Sequence, residues 1–164
     1  MPISVETLAA QPFLRGVALR HLEVLADDAL PMEFKADDVI FNEGEPANRF
    51  YLIRGGQVIL ESPTDPEHEP VLIEAVGAGG VVGWSWLFPP YYWHFTARAA
   101  SNVRAIFFYG TRLRDQCEND HELGYELMKR MNQVIVERLQ AARRQLSAQK
   151  HALLSPPGSA ELFA

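Results

Sequence analysis

The segment from Gly83 to Phe95, GWSWLFPPYYWHF, concentrates the side chains that could contact a ligand or a partner. Seven of its thirteen residues are aromatic, and it contains all three tryptophans of the chain but neither Glu nor Arg. Aromatic rings can fill a core, anchor a protein partner or stack on a flat heterocycle. These three uses stay open. The aromatic residues that we predict for a partner or stacking surface are Trp84, Trp86, Phe88, Tyr91, Tyr92 and Trp93.

Patterns typical of catalysis or metal binding are weak in the rest of the chain. The carboxylate pairs Asp27-Asp28 and Asp37-Asp38 fall in turn contexts and are interpreted as solvated. Neither a Gly-rich phosphate loop nor a G-x-S-x-G motif is present. The histidines are scattered, without the His-x-His spacing of small metal-binding barrels: His21, His68, His94, His121 and His151. We therefore predict a non-catalytic protein without a metal site.

The single cysteine, Cys117, cannot form an intramolecular disulfide. Its surroundings, RLRDQCEND, carry no nearby histidine and no nucleophile signature, so we interpret it as a half-buried helix residue. The N-terminus lacks the basic and apolar regions of a signal peptide. No run approaches the roughly eighteen consecutive apolar residues of a membrane span. These features predict a cytoplasmic protein that is not bound to a membrane.

Charge and length limit the function classes further. The formal net charge of −6 argues against nucleic acid as a partner, because that affinity depends on cations that neutralise phosphates. The 164 residues, 48% hydrophobic and 22% charged, are typical of one soluble domain. We predict that this domain covers residues 1–150. Residues 151–164 are rich in Pro, Gly and Ser and are predicted to be a flexible tail.

Short apolar runs separated by Gly and Pro predict antiparallel strands around the aromatic segment. In RFYLIRGGQVILES, at 49–62, apolar residues alternate on both sides of Gly55-Gly56, a pair that suits a type I′ hairpin turn. Further runs lie at 70–76, 80–83, 95–100 and 103–110. Strands at this spacing predict a mainly β protein with some α-helix, built on a small antiparallel β-barrel or jelly roll.

Helices are predicted at both ends of this barrel. Ser4 is a candidate N-cap for the first, and Asn119, with Glu122 three residues later, for the last. The last helix, predicted over 120–149, would span roughly 45 Å and extend past a small barrel. A second copy of the helix is the simplest partner for the part that extends, which predicts a homodimer. The alternative is that the helix packs wholly on the barrel of its own chain. The residues predicted for the dimer contact are Leu127, Met131, Val134 and Leu139.

This order of elements resembles the cyclic nucleotide-binding domain of the catabolite-activator type. The stretch AVGAGGVVGW, at 75–84, resembles the approach to that family's phosphate-binding cassette, with Gly79 and Gly83 as its glycines. The resemblance covers about residues 5–150 and implies the cyclic nucleotide-binding fold. In DDVIFNEGEPANRFYLIRGGQVIL, at 37–60, the matching residues are Ile40, Gly44, Phe50, Tyr51, Ile53, Gly56 and Val58.

The resemblance also implies where a ligand would bind, and that site is altered. In the family, an Arg and helix amides hold the cyclic phosphate and a Glu binds the ribose. The Glu position falls on Trp84 or Ser85, and the Arg position on Trp93 or His94. The predicted degenerate cassette comprises Gly83, Trp84, Ser85, Trp93, His94 and, as a substitute cation, Arg98. Binding of a cyclic nucleotide is therefore expected to be weak or absent.

Two functions follow from the resemblance. The aromatic cassette is similar to that of the small subunit that joins soluble NAD-reducing nickel–iron hydrogenases as a dimer. This similarity implies an accessory or regulatory subunit with hydrogenase or diaphorase partners. Such a subunit would have no cofactor of its own, although a cyclic or pyridine nucleotide could bind weakly. The alternative is a nucleotide sensor that acts through helix movement. About fifteen residues follow residue 149, too few for a helix-turn-helix domain, so DNA binding is not expected.

Overall fold

Two antiparallel sheets form a jelly roll in the computed structural model, which describes residues 2–63 and 67–154. The first sheet has the strand order β1-β8-β3-β6 and the second the order β2-β7-β4-β5. The strands are β1 Leu30–Phe34, β2 Val39–Phe41, β3 Arg49–Gly55, β4 Val58–Ser62, β5 Val71–Val76, β6 Val81–Val82, β7 Thr96–Ala99 and β8 Val103–Tyr109. The predicted fold class is confirmed.

Side-chain alternation explains how the sheets bury one core between them. In β7, Ala97 and Ala99 are buried, whereas Thr96 and Arg98 are only half-buried. The neighbouring β4 buries Val58 and Leu60 in the same way. Small residues in β7 leave room for a large ring, because Trp93 belongs to the same apolar cluster. The core between the sheets therefore reaches the aromatic segment.

A second core lies between the first sheet and the helices. Ile106 and Phe108 of β8 belong to it, together with Leu25 and Leu113 from helices. The helices are α1 Val5–Ala9, α2 Leu19–Asp28, α3 Gly110–Asn119 and α4 His121–Leu154, with 3₁₀ turns at Pro12–Leu14 and Ser85–Leu87. Ser4 caps α1 as predicted, because its side chain accepts a hydrogen bond from Thr7 N. None of the described helices is long and apolar enough to cross a membrane.

The hairpin between β3 and β4 differs from its prediction. Gly56 has φ +85°, but Gly55 does not adopt a left-handed conformation and pairs with Arg104 as the last residue of β3. A type I′ turn needs positive φ at both central residues, so the prediction of that turn type is wrong. Gly56 is required for a second reason: a Cβ there would lie 2.1 Å from the carbonyl oxygen of Asn102.

The start and end of α4 also differ from their predictions. Asn119 is the last residue of α3, and the cap is Asp120, whose Oδ1 accepts hydrogen bonds of 3.2 Å from Glu122 N and Leu123 N. The helix continues to Leu154, so residues 151–154, predicted as part of the tail, are helical. The rest of the predicted tail, 155–164, lies outside the described residues.

Helix α4 has two separate apolar faces. Leu127, Met131 and Val134, predicted for a dimer contact, are buried in the core of their own protomer, which corrects that prediction. Leu139 is 59% exposed. With it, a second row at alternating spacings of three and four residues stays exposed or half-buried, and we call this row the α4 seam: Tyr125, Met128, Asn132, Ile135, Leu139, Ala142 and Leu146.

Candidate functional site

The aromatic segment begins at Gly83, which no other residue could replace without a movement of the surrounding atoms. Gly83 follows β6 with φ +102°. A Cβ at this position would lie 3.1 Å from the ring of Trp93 and 3.2 Å from the carbonyl oxygen of Arg49. The chain then enters the 3₁₀ turn Ser85–Leu87. Gly83 therefore lets the backbone turn closely against the barrel, with Trp93 packed over it.

Two of the three tryptophans are core residues. Trp86 is fully buried and stacks on Phe50 with ring centroids 5.2 Å apart. Trp93 is buried between the sheets and stacks on Phe41 at 3.7 Å. Their prediction as contact-surface residues is corrected, because neither ring is accessible in the protomer. Trp93 occupies space inside the barrel instead of presenting its ring to a partner.

Three polar or aromatic cassette residues form a compact group at the barrel mouth. The hydroxyl of Ser85 lies 2.9 Å from Nδ1 of His94. The ring of Trp84 stacks on His94 with centroids 4.7 Å apart. Ser85 is buried, Trp84 is half-buried and His94 is exposed. The structure thus brings together three of the residues predicted for the cassette, and His94 contacts the other two.

Arg98 does not join this group. It lies on the outer face of β7, where its Nε is 3.3 Å from Glu61 and its Nη1 is 3.6 Å from Asp37. Alternation along the strand places its neighbours Ala97 and Ala99 inside. Arg98 is also absent from the lining of the cassette pocket. It is therefore not the substitute cation, because its side chain points away from the site.

A different arginine reaches the cassette, from the long helix. Arg138 of α4 is 5% exposed and lines the pocket beside Trp84, Ser85 and His94. Its Nη1 lies 2.8 Å from the carboxylate of Glu74 in β5, and its Nη2 donates to the carbonyl oxygen of Val81. Burial lowers the pKa of the Arg138 guanidinium, and the charges of Glu74 and Glu137 oppose that shift.

Arg138 is not among the predicted cassette residues, although its position on α4 distinguishes it. Arg138 falls on the same helical face as Leu127, Met131 and Val134, which are all buried. A charged residue on an otherwise apolar face requires a buried partner. That pattern marks the position, but it does not identify Glu74 or Val81 as the partners.

The cassette pocket is almost filled. Its volume is about 10 Å³, with walls that include Phe41, Gly83, Trp84 and Trp93. That is roughly the space of one water molecule, whereas pockets for small organic ligands measure about 300–1,000 Å³. The tryptophan rings and the Arg138 side chain line the little space that remains. The arrangement supplies a guanidinium and an imidazole, but no room beside them.

Some of the predicted contact surface is accessible. Phe88 is 39% and Tyr92 48% exposed. Tyr91 is half-buried, and the guanidinium of Arg114 lies over its ring at 3.9 Å from the centroid. A hydrogen bond from Arg114 to the carbonyl of Trp86 ties this loop to α3. Phe88, Tyr91 and Tyr92 therefore stand on a braced loop at the surface.

The thiol of Cys117 is not activated. Cys117 is half-buried, and burial, followed by the charges of Glu118 and Asp120, raises the pKa of its thiol to about 11. The thiol is thus protonated at neutral pH and is a poor nucleophile. Within residues 2–63 and 67–154, no three His, Cys, Asp or Glu residues come together as metal ligands would.

Comparison with known proteins gives a consistent result. The model of the cyclic nucleotide-binding domain matches residues 31–120. The CRP-like cAMP-activated global transcriptional regulator of Mycobacterium tuberculosis is 25% identical over 142 residues, which are 87% of this chain. The chain spans only 61% of the length of that regulator.

Solved structures agree with this match. A Geobacter metallireducens protein, provisionally assigned as a cyclic nucleotide-binding protein, is 30% identical with a TM-score of 0.75. The match covers 84% of this chain and 98% of that one. A regulatory subunit of a cAMP-independent protein kinase A from Trypanosoma brucei is 22% identical, with a TM-score of 0.64 over 79% of this chain and 46% of that one. The latter likeness shows the fold alone.

Proposed function

The chain belongs to the cyclic nucleotide-binding domain family, and from this premise we propose that it is a non-catalytic regulatory module that works without a bound cyclic nucleotide. One observation carries the proposal: the pocket where relatives would hold the ligand measures about 10 Å³ and is closed by Arg138. Arg138 also joins helix α4 directly to the barrel, through Glu74 of β5 and Val81 of β6.

The chemistry of the cassette supports the same proposal. Neither Trp84 nor Trp93 can form the charge-assisted hydrogen bonds that hold a cyclic phosphate and a ribose. His94 presents a ring already engaged by Trp84 and Ser85, and a neutral imidazole is a weak substitute for a guanidinium. The mycobacterial relative is described as cAMP-activated. We propose that this property does not extend to the present chain.

Calorimetry with cAMP and with cGMP tests the proposal. We expect no saturable heat up to millimolar nucleotide and no rise in Tm, whereas a ligand at a hundredfold excess over its Kd stabilises a protein by about 2.7 kcal/mol. The mycobacterial regulator, measured in the same buffer, is the positive control. Micromolar binding would contradict the proposal and would favour the alternative, a nucleotide sensor that acts through movement of α4.

We propose two finer features of this function. The module acts in the cytoplasm as a homodimer, with the α4 seam as the contact, because that row of apolar residues is exposed or half-buried. It also serves as an accessory subunit of a larger enzyme, such as an NAD-linked hydrogenase, through Phe88 and Tyr92. Aromatic residues on a braced loop are typical anchors for protein partners.

Purification from the source cell tests the accessory role. We expect redox-enzyme subunits in the eluate of the native protein, identified by mass spectrometry, and their loss in a Phe88→Ala, Tyr92→Ala variant. Tyr109→Ala, which removes an exposed ring at the end of β8, is the control variant. Recovery of the native protein without such subunits would contradict the accessory role and would leave the cassette proposal unaffected.

A further inference from the structure

A cleft of about 860 Å³ lies between α4, the β5–β6 turn and the 3₁₀ turn near the N-terminus. It is distinct from the cassette pocket, with Arg138 as a lining residue common to both. Its size falls within the range of small-molecule sites, about 300–1,000 Å³. At one end, Gly79 and Pro12 approach so closely that a Cβ on Gly79 would lie 3.0 Å from Pro12 Cγ.

The walls of the cleft combine an apolar floor with a cationic rim. Phe13, Val76, Val81 and Val134 supply apolar surface. The charged residues around it are four cations and two carboxylates: Arg15, Lys129, Arg130, Arg138, Glu74 and Glu137. In a chain with a net charge of −6, this is a local excess of positive charge. Such a cleft concentrates anions from solution.

The hydrogen bonds show which cation is available to a ligand. Arg138 is paired with Glu74, and Arg130 with Glu126. Arg130 also donates to the carbonyl oxygen of Arg15 at 2.7 Å, which fixes the backbone that carries the Arg15 side chain. Among the described residues, the Arg15 guanidinium itself has no hydrogen-bond or ion-pair partner. Arg15 is therefore an exposed cation with free donors at the rim, on a backbone that Arg130 holds in place.

The cleft and the α4 seam lie on largely different sides of the long helix. Arg130 and Gln133 line the cleft, Ile135 and Leu139 belong to the seam, and Asn132 belongs to both. At about 100° per residue, Arg130 and Gln133 lie roughly 120–180° away from Ile135 and Leu139 around the helix. A second helix on the seam would therefore meet the cleft at Asn132 and leave open the side that carries Arg130 and Gln133.

We propose that this cleft binds an organic anion in which a flat apolar ring is joined to a chain of phosphate groups, which carries more negative charge than the single phosphate diester of a cyclic nucleotide. The ring packs on the floor formed by Phe13, Val76 and Val134. The phosphate accepts hydrogen bonds from Arg15 and from the amide of Gln133, which points from the same side of α4 as Arg130. Polar and apolar recognition are both needed, because a partly exposed guanidinium alone binds phosphate weakly.

The experiment is calorimetric titration with ATP in the absence of divalent metal. We expect a Kd below about 1 mM for ATP, and binding at least about tenfold weaker for adenosine and for tripolyphosphate, which carry the ring or the charge alone. Arg15→Glu and Gln133→Glu should each weaken ATP binding on the order of fivefold to tenfold. Higher salt should weaken it in the native protein.

Matched controls separate a site from general charge attraction. Arg54→Glu and Gln140→Glu make the same charge changes at exposed positions outside the cleft, and should leave ATP binding unchanged. The inference is overturned if ATP does not bind, if adenosine binds equally well, or if the control variants weaken binding as much as the cleft variants. Loss of ATP binding in His94→Ala alone would place the ligand at the cassette and also overturn it.

Discussion

At the scale of single residues, aromatic rings determine what the barrel mouth can do. Trp93 fills the interior and stacks on Phe41, while Trp84 covers His94. The charge that remains at the site comes from Arg138 on α4, not from the cassette. A buried cation with two fixed partners can join a helix to a sheet as well as bind a phosphate. Its main effect in the closed site is to hold α4 on the sheets.

Replacement of Arg138 by Ala should therefore loosen the middle of α4. The substitution leaves Glu74 without its cation and the carbonyl of Val81 without its donor. Loss of a hydrogen-bonded buried charge should lower the free energy of unfolding by about 2–3 kcal/mol, as measured by urea denaturation. Amide exchange should also become faster around 134–141, because that part of the helix loses its polar tie to β5 and β6.

Arg143→Ala is the matched control, because Arg143 is an exposed arginine on the same helix. It should change the free energy of unfolding by less than about 0.5 kcal/mol. A double-mutant cycle with Glu74→Ala measures the coupling itself. A coupling energy near zero, or equal losses in the two Arg variants, would show that Arg138 does not hold the helix.

At the scale of elements, the junction between α3 and α4 depends on one carboxylate. Asp120 caps α4 and also accepts a hydrogen bond of 3.1 Å from Arg20 of α2. The backbone hydrogen bond from Leu123, and then Arg20, hold the pKa of Asp120 below its usual range. The same group thus joins α2 to the first turn of the long helix.

This lowered pKa predicts how stability depends on pH. The folded state favours ionised Asp120, so its stabilising contribution is complete above the unfolded pKa of about 3.9. It is lost as the pH falls through the lower, folded value. In Asp120→Asn, the amide can still cap but carries no charge. The Tm of the native protein should exceed that of the variant at pH 7, and the difference should disappear in strong acid.

Asp27→Asn provides the control for this titration. Asp27 is exposed on α2, and no hydrogen-bond or ion-pair partner of its side chain is present among residues 2–63 and 67–154. The dependence of Tm on pH in the Asp27→Asn variant should follow that of the native protein from pH 7 to pH 2. A Tm difference for Asp120→Asn that stays constant over this range would contradict the assigned role of the charge.

The types of the helices and strands were predictable, because local sequence patterns determine them. The surfaces against which these helices and strands pack were not predictable. The strands flanking Gly55-Gly56 follow from alternation, and a helix after residue 119 from its apolar spacing. The same spacing could not show which face of α4 meets the barrel: Leu127 and Leu139 are equally apolar, but only Leu127 is buried. Likewise, the composition of the aromatic segment could not separate Trp86, which meets Phe50, from the exposed Phe88.

At the scale of the whole molecule, α4 is longer than the barrel that it packs on. Its 34 residues span about 51 Å. Its buried face ends at Ala141 in the part of the helix whose side chains are described. Leu139 and Leu146, 59% and 66% exposed, continue the α4 seam toward and beyond this point. Asn132 lies in the same row, and a polar residue at such a position favours one register between paired helices.

The homodimer proposed from this seam predicts a clear effect of charge on it. Leu139→Glu with Leu146→Glu would place like charges opposite each other across two parallel helices, so we expect a monomer of 18.4 kDa where the native protein has twice that mass. Light scattering after gel filtration measures this. Gln140→Glu with Ser147→Glu puts the same charges one residue away, off the seam, and should stay dimeric.

A native protein that is monomeric at tens of micromolar, or a control that dissociates equally, would rule out the seam as the contact. A dimer in the Leu variant would place the contact on another surface, such as the one that carries Phe88 and Tyr92.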